Sequence, residues 1–208
     1  MDDVSLYGET YWHRQHQLSE MLYCVKHQVR LVNSGIPIKR TKTGFYPASS
    51  EVNMNYDVDT LDDLLPYKDK LLKIGREVEW LIKHGLEIDW NANGHDKYWR
   101  LLRDRGLASF RGRCDYLELE SAFNDYWGND FLSVLFSLTD DSNFNGWSHQ
   151  VEGHKMQSYK PLYHIILMNF LTGSISNFIN SSPADTPYGK PPLPCENLIC
   201  SHYHKVLQ

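Results

Sequence analysis

The stretch Pro161-Leu162-Tyr163-His164-Ile165-Ile166-Leu167-Met168-Asn169-Phe170-Leu171-Thr172-Gly173 decides the fold class. Proline opens it where a helix has no amide bond to lose, and glycine closes it. Apolar residues between them occur at nearly every position, so no polar face remains and the helix must be buried all round. It is the candidate central element of a helical core. Tyr163, His164 and Asn169 interrupt the run Leu162 to Leu171, and a bilayer crossing needs about 20 apolar residues, so this is not a membrane span.

The segments before it carry helical spacing too. From Pro66 the residues Leu71, Leu72, Ile74, Val78, Leu81 and Ile82 share one face, and Gly85 ends the run. Thr60 and Asp63 resemble a capping box just upstream, with Pro66 restarting the helix. A second helix starts at Asn93 or Gly94, turns Tyr98, Leu101 and Leu102 inward and closes at Gly106. Asp115 and Glu118 cap a third, with Leu119, Ala122, Phe123 and Tyr126 inward and Gly128 as its stop. A shorter helix through Leu132 and Leu135 precedes a polar turn from Asp140 to Gly146. The expected fold is mainly α, a multi-helix body over residues 57–180.

Two flanks differ from that body. Residues 1–50 are rich in His and aromatics, with one alternating run, Val29 to Val32, and turn signals at Gly35, Pro37, Gly44 and Pro47. Their aliphatic content is too low for a core of their own, so a metal or a neighbouring element must hold them. Residues 51–59 form a polar connector. Residues 181–208 begin with a Pro-rich linker and end on Cys195-x4-Cys200, His202, Tyr203 and His204.

Bulk properties narrow the function. The chain has 208 residues and a net charge of −5, which excludes a polyanion binder acting through its whole surface but permits a local basic patch. Hydrophobic residues make up 41% and charged residues 23%, so the chain can bury a core. The acidic start Met1-Asp2-Asp3-Val4 lacks the basic-then-apolar pattern of a signal peptide, and the expected location is the cytoplasm. Four cysteines in such a chain point to metal before disulfides.

Three constellations carry chemistry. Cys24-x-x-His27 lets one tight turn present a thiolate and an imidazole to Zn²⁺, with His13 and His16 as candidate further donors. Cys195 and Cys200 are a second pair of candidate ligands, with His202 and His204 close by. The third is basic: Lys97, Arg100, Arg103, Arg105, Arg111 and Arg113, only partly offset by Asp96 and Asp104. Arg100 and Arg103 share a helix face. With the following loop they form a loosened helix-turn-helix that would straddle a phosphate backbone. A solvated charged face is the plain alternative reading. A Cys24–His27 catalytic dyad is the weakest reading, since no oxyanion loop and no phosphate-binding Gly-rich loop accompanies it, and no small-molecule substrate is expected.

The run Tyr7-Gly8-Glu9-Thr10-Tyr11-Trp12-His13-Arg14-x-His16-Gln17-Leu18, followed by Cys24-x-x-His27, resembles the zinc-binding segment of the TnsD/TniQ family of transposon target-selection proteins. Ile88-Asp89-Trp90, Tyr98-x-x-Leu101-Leu102, Gly106-Leu107, Gly112-Arg113 and Lys160-Pro161-Leu162-x-His164 are similar to its helical region. Leu193-Pro194-Cys195-Glu196-Asn197-x-x-Cys200-x-x-Tyr203 is similar to the opening of a second zinc module. The resemblance implies a non-enzymatic protein that binds double-stranded DNA or a guide complex and recruits an AAA+ ATPase, which brings in the transposase. It implies zinc at Cys24 and His27 and at Cys195 and Cys200, each pair completed by a C-x-x-C that the chain lacks, so the chain is expected to be an internal fragment with partial zinc-finger or zinc-ribbon modules at both ends. The competing expectation is a protein-interaction module that grips the ATPase without touching DNA.

Overall fold

The computed structural model describes residues 2–34, 48, 58–90, 94–109, 113–138, 160–182, 195, 198–201 and 203. These contain seven α-helices: α1 (Asp2–Tyr7), α2 (Lys68–His84), α3 (His95–Asp104), α4 (Tyr116–Trp127), α5 (Asn129–Leu138), α6 (Pro161–Thr172) and α7 (Ile175–Asn180). Among the described residues the only β pairings are isolated bridges, so the chain is mainly helical as expected. No described helix is long and apolar enough to cross a membrane.

The chain divides into two compact units, Met1–Gly85 and Leu86–Gln208. The first joins the His-rich N-terminus to α2, whereas the spacing argument put α2 with the later helices. Leu71, Leu72, Ile74 and Val78 of α2 are buried, as their periodicity requires. The physical reason for the grouping sits between them, at Gly75. A Cβ there would lie 2.9 Å from Val25 Cγ2 and 3.1 Å from Met21 Sδ, closer than side-chain carbons pack. The bare backbone of α2 is therefore the seat of the loop around Cys24, and this helix is the neighbour that the weak N-terminal module needs.

Around Gly75 the first unit is irregular. Met21, Tyr23 and Cys24 are buried. The Val29 to Val32 run forms no strand: Tyr23 and Arg30 make a single antiparallel bridge, and Val29 is exposed. Upstream of α2, the segment Val58–Tyr67 is a 3-10 helix containing Pro66, and α2 begins just after it. The side chain of Thr60 lies outside the described residues, so its capping role has no structural counterpart here.

In the second unit α6 is the core. Ile165 to Leu171 are all buried, with Pro161 at its first turn and Gly173 in the left-handed conformation at its end. Helices α3, α4 and α7 pack on it, and α5 packs on α4. Trp127 closes the α4 contact by donating its indole N–H to the Ile166 carbonyl at 3.2 Å. Asp115 caps α4 as predicted, its carboxylate accepting the Glu118 amide at 3.1 Å. Among the described residues Asn169 is the one polar residue fully inside, and its amide donates to the Ile165 carbonyl at 3.0 Å. The polar turn from Asp140 to Gly146 lies outside the described residues.

Candidate functional site

In the first unit a tight turn builds the thiol–imidazole pair. The Cys24 amide donates to Val29 O at 2.8 Å and the Gln28 amide to Cys24 O at 2.7 Å, while Gln28 takes a positive φ of 55°. This closed turn brings Cys24 Sγ and His27 Nδ1 to 3.3 Å, with Cys24 buried and His27 exposed. His16 stands within electrostatic reach. Burial pushes its pKa below the usual histidine range; His13 and His27 push the same way and Asp3 opposes them. His13 is already engaged, its Nε2 lying 2.8 Å from Asp3 Oδ2. A structural zinc site needs four donors. Among the described residues no group of three or more His, Cys, Asp or Glu side chains converges on one point. Those residues supply a pair, not a whole site.

At the other end of the chain Cys195 and Cys200 are half-buried and neither is in a disulfide. Cys195 bridges to Tyr203, whose amide donates to the Cys200 carbonyl at 2.9 Å, so the chain folds back on itself there. His202 and His204 lie outside the described residues.

The basic cluster occupies the end of α3 and the connection to α4. That connection runs from Arg105 to Asp115 and is pinned by an Ala108–Cys114 bridge, with the Ser109 amide on Arg113 O at 2.7 Å. It is longer than the three or four residues of a strict helix-turn-helix turn. Arg100, Arg105 and Arg113 are exposed and Arg103 is half-buried. Arg111 lies outside the described residues.

Lys97 does not belong to this surface, contrary to expectation. It is only 8% exposed, and its ammonium donates to the Ile179 carbonyl of α7 at 2.7 Å. The group also sits 5.3 Å from the centre of the Phe178 ring. Burial lowers its pKa from the usual lysine value. Next to it, the Tyr98 hydroxyl lies 3.1 Å from His164 Nδ1 of α6, and burial raises the phenol far enough to keep its proton. Lys97 and Tyr98 together fasten α3 to α6 and α7.

Tyr126 departs from expectation in the opposite direction. Placed inward by its spacing, it is 37% exposed and lies beside Arg105. Charge is also segregated along the chain. Between Arg113 and Lys155 the sequence contains no Lys or Arg, while Asp115, Glu118, Glu120, Asp125 and Asp130 stand on α4, α5 and the cap between loop and helix. A polyanion would meet attraction at the end of α3 and repulsion along α4 and α5.

Comparison with known proteins gives one match. The model of the TnsD family, described as Tn7-like transposition protein D, matches residues 74–207. That span takes in the whole second unit except its final residue, together with most of α2. No curated protein and no solved structure matches the chain.

Proposed function

The chain belongs to the TnsD family of Tn7-like transposition proteins, and on that premise we propose that it selects transposon insertion sites by binding double-stranded DNA. The family match is the observation that carries this reading. The exposed residues Arg100, Arg105 and Arg113, on α3 and in the connection to α4, support it, because phosphate neutralisation needs concentrated basic charge. Helix α3 and its bridged loop would track the DNA backbone, with Arg103 and Arg111 adding charge. Once bound, the protein would recruit an AAA+ ATPase and, through it, the transposase. The protein itself carries out no catalytic step in this scheme.

Zinc in this proposal has a structural part. Cys24 and His27 would be two of its ligands, and Cys195 and Cys200 two ligands of another ion. Tetrahedral zinc bound at the first pair would supply folding energy to the unit poorest in aliphatic core.

The test is duplex binding by the Arg100→Glu/Arg113→Glu double variant. Affinity should fall at least about a hundredfold, and the dependence of binding on salt should flatten, because each phosphate contact contributes to that slope. Unchanged affinity and slope would remove the patch from the DNA interface. Retained binding to the ATPase with no duplex binding by the unaltered chain would instead favour an interaction module.

A further inference from the structure

Arg105 is held through both its backbone and its side chain. Its amide donates to Leu101 O at 3.3 Å and Leu102 O at 3.2 Å, at the last turn of α3. Gly106 follows at φ 77°, a left-handed conformation suited to glycine, and the Leu107 amide returns to Leu102 O at 2.9 Å. This is a Schellman closure, and it fixes the backbone from which the Arg105 side chain departs.

The side chain is fixed as well. Its guanidinium carbon lies 4.8 Å from the centre of the Phe170 ring on α6. Tyr126 of α4 meets the same ring edge-on, with centroids 5.8 Å apart and planes at 77°. Three helices thus converge on one guanidinium. Among the described residues no carboxylate pairs with it. Partial burial pushes its pKa down and the nearby Tyr126 phenol pushes it up, but an arginine stays charged at any physiological pH. A guanidinium seated over an aromatic ring keeps N–H groups that can pair with two phosphate oxygens.

We infer that Arg105 is the fixed phosphate contact of the DNA-binding surface, positioned by Phe170 and Tyr126, and that its ligand is a backbone phosphodiester of duplex DNA. The inference rests on the DNA-binding reading above. It adds a division of labour: Arg105 sets the register, while Arg100 and Arg113 contribute charge. It also gives Tyr126 a positioning role. The rival role for Arg105 is a structural cover over Phe170 that also complements the negative end of α3.

The full chain is tested with a fluorescein-labelled duplex across a salt series, with a thermal melt of each variant. Arg105→Met keeps the apolar cover and removes the charge. It should weaken binding about tenfold and lower the salt slope by about one, with an unchanged melt. Arg105→Lys should keep the slope but still bind several-fold more weakly, because a lysine cannot present the planar fork. Tyr126→Ala should do the same, as expected of a positioning residue. A lowered melt in Arg105→Met with unaltered affinity and slope overturns the inference in favour of the structural cover. If that result comes with lost binding in Arg100→Glu/Arg113→Glu, only the inference falls. No duplex binding by the unaltered chain overturns both.

Discussion

Five large rings of the second unit lie inside it: Phe123, Trp127, Phe131, Phe170 and Phe178 are almost wholly buried, while Trp90 and Tyr126 are exposed. In the first unit Tyr7, Tyr11 and Trp12 are exposed instead, and Tyr7, Tyr11, His13 and His16 form a chain of ring contacts at 5.5, 4.2 and 4.9 Å. One unit is held by an apolar interior that packs from all directions. The other buries a smaller set, including Met21, Leu64, Leu72 and Ile74, and adds a loop seated on a glycine and a thiol–imidazole turn. Rings that stabilise by burial can serve one purpose only, whereas exposed rings stay available to a partner. Perturbations aimed at the interior around α6 should therefore leave the first unit alone, and perturbations aimed at Cys24 and His27 should leave the second alone.

The largest separation is expected from Trp127→Ala. It removes a fully buried indole and its bond to the Ile166 carbonyl, and should destabilise the second unit by about 3–5 kcal/mol. Hydrogen exchange should then rise across α3, α4 and α6 while the amides of α2 keep their protection. Equal loss of protection in both units would show that they unfold together, and the contrast would fail.

Zinc should act in reverse. Titrated to about a hundred times its dissociation constant, it should add about 2.7 kcal/mol to the first unit, as any ligand specific for a folded state does. Cys24→Ser should abolish that gain and leave the second unit's melt unmoved. If zinc addition leaves residues 21–31 as exchangeable as before, Cys24 and His27 are not ligands.

The smallest effect is expected at Gly75. Gly75→Ala gains helix propensity of about 1 kcal/mol, but its methyl group must displace Val25 and Met21. Overpacking should outweigh the gain and leave the first unit about 1–2 kcal/mol less stable. A Gly75→Ala protein with a higher melting temperature would show that the loop yields, and that the slot is not what orders it.

The second unit was largely legible from spacing, because its elements obey one period. The caps at Asp115, Pro161 and Gly173 and the inward places of Tyr98, Leu101, Leu102, Leu119 and Phe123 follow from local rules that the tertiary fold did not override, whereas Trp127 rather than Tyr126 is buried on α4. Helix α7 went unseen, since six residues are too few for a period, although Ser174 does cap it by accepting the Asn177 amide at 3.1 Å. Lys97 was legible in principle: it lies four residues before Leu101, which is buried, so it had to share an inner face. Counting it with Arg100 and Arg103 weighed charge above position. The Arg105–Phe170–Tyr126 contact spans three helices and leaves no trace in any local window. In the first unit Gly75 is visible as a glycine inside a helix, but its partners Met21 and Val25 lie some fifty residues upstream across a polar connector.

The seat at Gly75 also bears on how this gene can drift. Every single-base change of a glycine codon that alters the amino acid adds a Cβ, and at position 75 any Cβ meets Val25 and Met21. No single-base change that alters this residue escapes that contact. The first unit's heredity is thus constrained at a residue that contributes no side chain to it.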